Sequence, residues 1–129
     1  MNILVLIGRF FYSAIFITSS LGHFTKQAIE FGTSHGVPMA SFFVPFSGII
    51  GIVGGLSILL GYKARLGAWL IVIFLIPVTL VMHKFWGVDD PVWVSMQQAM
   101  FMKNFSMLGA ALLITYFGSG PLSLDKGKK

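Results

Sequence analysis

The residues best suited to chemistry lie near the ends of apolar segments, where polar side chains are otherwise scarce. His83 could hydrogen-bond a ligand carbonyl or pass a proton, because an unperturbed histidine titrates near neutrality. Lys103 could stabilise developing negative charge, and Asn104 could orient the group that carries it. The other candidates for such a ligand-binding group are His23, Lys26 and Trp86. Together these residue types would suit a quinone-like ring or a small oxyanion.

Each of these side chains also has a purely structural explanation. A lysine at the end of a membrane helix extends its amine to the lipid headgroups, tryptophan is typical of the membrane interface, and neutral histidine is tolerated there. Lys103 and Asn104 are expected about a turn inside their apolar segment, which favours a binding role for them. Both interpretations remain open, and we assign no catalytic residue.

The residue types predict no metal site. The chain contains no cysteine, which excludes thiolate zinc sites, iron–sulfur clusters and electron transfer through thiols. A haem between His23 and His83 is feasible in geometry, but two isolated histidines are too weak a signal to predict one. A quinone or a bound lipid is the small molecule that these residues would suit best.

The composition places the chain in a membrane. Hydrophobic residues make up 56% of the 129 residues and charged residues only 10%, against about 25% charged residues in soluble domains. The nine Lys and Arg are scattered and form no basic stripe, which argues against nucleic acid as a partner. Four apolar segments approach the length that spans a bilayer, at about residues 3–24, 42–62, 66–85 and 98–117.

Spans of this length must be helices, because a backbone in lipid has to satisfy its own hydrogen bonds. We therefore predict an all-α fold, an integral membrane four-helix bundle in which residues 1–129 form a single transmembrane domain. Four spans put both termini on the side of the turn at 61–67. That side is rich in basic residues, namely Lys63, Arg65, Lys126, Lys128 and Lys129. The positive-inside rule then places both termini in the cytoplasm.

A polar stripe runs along the first helix. Arg9, Ser13, Ser20 and His23 share one narrow helical face with Phe16. Polar groups are costly in lipid unless they point into the bundle, so we expect this face to be buried.

Arg9 needs a partner, and no acidic residue lies inside any span. We predict that the C-terminal tail "GSGPLSLD" folds back and brings Asp125 close to Arg9 or Arg65. The two residues, Arg9 and Asp125, would then have a structural role.

Small residues line one face of the second helix, at Gly48, Gly51 and Gly55. Such a face lets another helix approach closely, which is a main source of helix association in lipid. The neighbour could belong to this chain or to a second copy, so a homo-oligomer remains open.

Several motifs occur together in a characteristic order. They are "GRFFYSAIFITSSLGHFTK", "GIVGGLSILLGYKARLGAWL", "HKFW", "FMKNFSMLGAALL" and "GSGPLSLD". With these motifs the chain resembles the DoxX family of small four-helix membrane proteins over nearly its whole length.

The resemblance implies a multi-pass protein of a bacterial-type inner membrane, distantly similar to the membrane subunit of thiosulfate:quinone oxidoreductases. The positions that match the family pattern include Arg9, His83, Lys103 and Asn104. One departure is Gly51, where many relatives have an acidic residue. This departure disfavours a proton relay through a carboxylate in mid-membrane.

Two functions follow as hypotheses, and the sequence does not decide whether the chain is an enzyme. The first is an accessory or quinone-binding or other small-molecule-binding subunit, associated in the lipid bilayer with an oxidoreductase partner protein. The alternative is a non-enzymatic membrane module for assembly, anchoring or lipid binding.

Overall fold

The computed structural model describes residues 2–125 and contains only helices and connecting segments over that range. The basic residues Lys126, Lys128 and Lys129 lie outside it. The α-helices are α1 (Asn2–Leu21), α2 (Lys26–Ser34), α3 (Ala40–Leu60), α4 (Ala64–Met82) and α5 (Pro91–Phe117). A 3-10 turn at Gly22–Phe24 extends α1. Within residues 2–125, four helices are long and apolar enough to cross a membrane: α1 with its 3-10 turn, α3, α4 and α5.

The helix boundaries differ from the sequence expectation in three places. Residues 25–41, expected to be a plain connection, contain α2, whose first turn is capped by the Thr25 hydroxyl accepting from the Ala28 amide. The last helix begins at Pro91 rather than near residue 98, because Asp90 caps it through the Val92 amide and proline suits the first helical position. The third membrane helix ends at Met82, so His83 follows the helix rather than lying within it.

The long helices pack in the order α1, α3, α4 and α5. A hydrogen bond from the Tyr12 hydroxyl to the Met107 carbonyl also joins α1 to α5. The buried core centres on Phe16, Ile58, Ile71 and Leu75. Large apolar side chains on the outer faces of all four long helices are exposed, as a lipid-embedded bundle requires.

The glycine face of α3 is used within the chain. A Cβ atom added to Gly48 would come within 2.9 Å of the Ser20 carbonyl and 2.8 Å of the His23 Cβ, both on the α1 segment. Gly51 and Gly55 face the same segment, also with no room for a side chain. The close approach that these small residues permit is therefore between α3 and α1.

Arg9 is bound by the C-terminal tail. Its side chain is 6% exposed, and its guanidinium donates to the carbonyls of Ser119 at 2.9 Å, Pro121 at 2.8 Å and Leu122 at 2.6 Å. The tail does fold back as expected, but backbone carbonyls rather than the Asp125 carboxylate hold the guanidinium. Because the guanidinium is buried, several hydrogen bonds to different carbonyls stabilise its charge better than a single contact would.

Asp125 instead caps α4. Its carboxylate accepts from the amides of Lys63 at 2.7 Å and Ala64 at 3.2 Å, where the free amides and dipole of a helix N-terminus favour a negative charge. Burial alone would raise the pKa of Asp125, but these two bonds, the Ser119 hydroxyl and the charge of Arg65 lower it below its ordinary value. The tail and the turn at 61–63 thus meet at one end of the bundle, called here the turn end. Which side of the membrane this end faces stays a prediction.

Replacing Gly48 with alanine tests the helix contact. Gly48→Ala should lower the free energy of unfolding by about 1–3 kcal/mol, because the new methyl group meets backbone rather than a movable side-chain end. Gly109→Ala is the matched control, since a Cβ there has no neighbour within 4 Å, and it should leave stability unchanged or raise it by about 0.5–1 kcal/mol. Thermal unfolding in detergent measures both. Equal stability of the two variants would contradict the packing described.

Removing the Arg9 guanidinium tests the attachment of the tail. Arg9→Met should lower the free energy of unfolding by about 2 kcal/mol or more, because several carbonyls lose their donor. It should also make residues 118–125 sensitive to carboxypeptidase. Lys26→Met, which removes an exposed cation, should change neither property. A tail that stays resistant in Arg9→Met would count against the attachment.

Candidate functional site

A cavity of about 610 Å³ lies at the end of the bundle opposite the turn end. Its walls come from α2, α3 and α4, with His23 and His83 contributing from the ends of α1 and α4. Almost every other lining side chain is apolar, and Ser47 is the one hydroxyl among the lining residues in the part of the chain that the structure describes. A volume of this size falls within the range of about 300–1,000 Å³ that holds small organic ligands.

The cavity lies beyond the place where α3 and α4 approach closely, which is near the turn end. There a Cβ added to Gly54 of α3 would come within 3.0 Å of the Gly67 carbonyl of α4. Farther along, α2 rests on α3 through Gly32, where an added Cβ would come within 2.8 Å of a Val44 methyl group. Helix α2 thereby supplies a wall that the transmembrane helices alone would lack.

The cavity reaches the lipid-facing surface. Its lining includes Phe43 and Phe46 of α3, which are 41% and 44% exposed, and Ile73 of α4, which is 57% exposed. These side chains belong to two membrane-spanning helices. A molecule dissolved in the bilayer could therefore enter sideways between α3 and α4.

The hydrogen bonds around His23 favour one tautomer of its ring. Its Nδ1 lies 2.8 Å from the Ser47 hydroxyl oxygen, and that hydroxyl donates its single proton to the Val44 carbonyl at 2.6 Å. With its proton on that carbonyl, the Ser47 oxygen accepts from Nδ1–H. In the neutral ring this leaves Nε2 as a hydrogen-bond acceptor. The ring also stacks on Phe74, with centroids 5.8 Å apart.

His83 also makes its hydrogen bond within the protein through Nδ1, but with a different partner. Its Nδ1 lies 3.2 Å from Gln97 Oε1, and Gln97 Nε2 donates to the Met82 carbonyl at 2.8 Å. The second bond orients the amide, so its oxygen faces His83 and must accept from Nδ1–H. Burial lowers the pKa of His83, and positive charge on Lys103 and His35 lowers it further, against the opposing hydrogen bond to Gln97. The neutral ring again offers Nε2 as an acceptor.

The structure divides the side chains that the sequence analysis grouped together. His23 and His83 line one cavity. Lys26, Lys103 and Trp86 are exposed and do not line it, and Asn104 is 4% exposed within α5, also away from it. Trp86 packs edge-on against Phe85 and Phe101. Lys103 acts on His83 only through its charge.

Sequence reasoning missed the two partners of the histidines. Ser47 lies next to Gly48 on the helix that packs against His23, and a hydroxyl beside a glycine in so apolar a segment was the available signal. Gln97 was overlooked because the last helix was expected to begin just after it. No group of three or more His, Cys, Asp and Glu side chains within residues 2–125 could hold a metal ion.

The polar stripe on α1 is largely buried, as expected. Arg9, Ser13, Phe16 and Ser20 are the buried residues of this helix, whereas His23 at its end is only partly covered. The stripe therefore leads from the tail-bound guanidinium at the turn end to the cavity at the other.

The fold and its lipid-facing surface define an all-helical, multi-pass membrane protein. The sequence profile of the DoxX family matches residues 4–84, and the chain belongs to that family. It is 29% identical over 124 residues to the inner membrane protein YqjF of Escherichia coli, with 95% of this chain and 89% of YqjF covered.

Two further relatives are more distant. The inner membrane protein YphA of E. coli is 27% identical over 129 residues, which cover 96% of this chain and 89% of YphA. The ER-derived vesicles protein ERV29 of Saccharomyces cerevisiae is 26% identical over 84 residues, or 65% of this chain and 27% of ERV29. No solved structure matches the chain. Like its bacterial relatives, the protein is an inner membrane protein.

The lowered pKa of His83 predicts a loss of stability in acid. Below the ordinary value of 6.5, the unfolded chain takes up a proton at this position more readily than the folded chain does. Stability from this group is therefore complete above about pH 6.5 and falls as the pH is lowered. His83→Gln removes the titrating group and should show a smaller drop in melting temperature between pH 7.5 and pH 5. An identical drop in both proteins would contradict the assignment.

Proposed function

We propose that the protein is a membrane subunit of an oxidoreductase system and that it binds a quinone-class molecule in the cavity walled by α2, α3 and α4. The observation that carries this proposal is the cavity itself, an apolar space of about 610 Å³ with two histidines among its lining residues. Apolar walls with a few polar groups are what a ring with oxygen substituents and a hydrocarbon tail requires.

The proposed pose follows from the geometry of the lining. The ring would lie near Phe74 and the histidines, where an aromatic face and hydrogen-bonding nitrogens are close together. The tail would extend between Phe46 and Ile73 into the bilayer, because the cavity reaches the surface there.

The subunit would depend on a partner for electrons, since the chain has no cysteine to relay them. Exposed cationic side chains occur at the same end as the cavity, on Lys26, Lys84 and Lys103. Because Glu30, Asp89 and Asp90 expose carboxylates at the same end, a partner face that carries both signs of charge would suit this end.

A lipid-binding module is the second function that a specific observation favours. The opening between α3 and α4 would admit an acyl chain as readily as a quinone tail, and the lining residues are mostly apolar. In that case the histidines would bind a lipid headgroup and no redox partner would be needed.

Co-purification distinguishes these functions. Protein extracted with its surrounding lipid in polymer discs should carry a quinone. Mass spectrometry should find a ratio of quinone to lipid in the discs well above the ratio in the whole membrane. Val81→Trp fills the cavity and should abolish the enrichment. Leu80→Trp is the matched control on the same helix, because Leu80 is 51% exposed and does not line the cavity.

Enrichment of a particular lipid with no enriched quinone would support the lipid-binding module. Loss of quinone enrichment in both variants, or enrichment that survives Val81→Trp, would contradict the cavity as the binding site.

A further inference from the structure

The two cavity histidines share one feature that restricts the chemistry of the ligand. Each ring uses its Nδ1 proton within the protein, His23 toward Ser47 and His83 toward Gln97. In a neutral imidazole only one nitrogen carries a proton, so the other can only accept. Both rings therefore offer the ligand an acceptor and no donor.

We infer that the cavity selects a lipid-soluble compound with a hydrogen-bond-donating hydroxyl head, so that it binds a hydroquinone in preference to the corresponding quinone. This inference rests on the quinone-class site proposed above and specifies which form it holds. The carbonyl oxygens of a quinone are acceptors and would face the acceptor Nε2 atoms of the histidines. The hydroxyls of a hydroquinone would donate to them.

The apolar lining makes this distinction strong. An acceptor facing another acceptor without water leaves both groups unsatisfied, which is costly in an apolar environment. Few other polar groups line the cavity, so a carbonyl head has little alternative within it. The bundle thus discriminates between two molecules of nearly the same shape by the direction of one hydrogen bond.

Ser47 and Gln97 act as positioning residues in this scheme. Ser47 cannot donate to His23 while its proton goes to the Val44 carbonyl, and Gln97 cannot present its amino group to His83 while that group donates to the Met82 carbonyl. The Val44 and Met82 carbonyls therefore determine which nitrogen of each ring faces a ligand as an acceptor. The charged groups acting on His83 are Lys103 on α5 and His35 at the end of α2, and both disfavour its protonation.

Three decyl-substituted probes built on the same six-membered ring test the inference: a 1,4-hydroquinone, the corresponding 1,4-benzoquinone and the dimethyl ether of the hydroquinone. Calorimetric titration of the full chain in nanodiscs, under anaerobic conditions at pH 7.5, gives each dissociation constant. The hydroquinone should bind at least about tenfold more tightly than either of the other two, the size of effect expected for one unsatisfied buried group.

Gln97→Glu tests the positioning role. A carboxylate at this place favours the doubly protonated ring of His83, which then donates from Nε2. The preference should shift toward the benzoquinone by about tenfold, and the shift should grow as the pH is lowered. Gln98→Glu adds the same charge at the neighbouring exposed position and should leave the preference unchanged. A merely structural role of Gln97 would weaken all three probes alike.

The possible outcomes separate this inference from the function on which it rests. If the benzoquinone binds as tightly as the hydroquinone or more tightly, the hydroxyl preference is wrong while the quinone-class site stands. If no ring compound binds but 1-dodecanol binds more tightly than its methyl ether, the hydroxyl preference stands and the quinone-class site is wrong. If none of these probes binds, both are wrong.

Discussion

The central constraint on this protein is that hydrocarbon offers no hydrogen bonds. Every polar group within the membrane-spanning helices must find its partner inside the chain or bear a cost of several kcal/mol. At the turn end the constraint explains why a tail of ordinary loop composition wraps back over α1, since its carbonyls are the acceptors that Arg9 requires. The same tail supplies Asp125 to the free amides of α4.

At the opposite end the same constraint has a chemical consequence. Ser47 satisfies its own proton on the Val44 carbonyl and Gln97 satisfies its amino group on the Met82 carbonyl. Each then has only an oxygen left for the neighbouring histidine, which favours the tautomer of His23 and of His83 with the proton on Nδ1. The need to satisfy each buried polar group therefore also determines which hydrogen-bonding groups the cavity offers to a ligand. The close packing of α3 on α1 and α4 contributes by holding these groups in register.

Much of the fold was predictable from the sequence, because the length and apolarity of a span follow directly from the thickness of a bilayer. The burial of Arg9 and the return of the tail were also predictable, since a lone guanidinium in a helix needs acceptors. The identity of those acceptors was not, because backbone carbonyls leave no trace in the sequence. Lys103 and Trp86, grouped with His83 as candidate ligand-binding residues, do not line the cavity, since periodicity places residues on a face of one helix but does not say which neighbour that face meets. Helix α2 was missed because its short, weakly apolar sequence resembles a connection.

The tautomers of the two histidines provide the most direct test. Nitrogen-15 NMR of protein labelled at histidine, in lipid at pH 7.5 and assigned with single variants of His23 and His83, reports which ring nitrogen carries the proton. We expect protonated Nδ1 and unprotonated Nε2 in both rings. Protonated Nε2 with unprotonated Nδ1 in both would contradict the hydrogen-bond network that shapes the cavity.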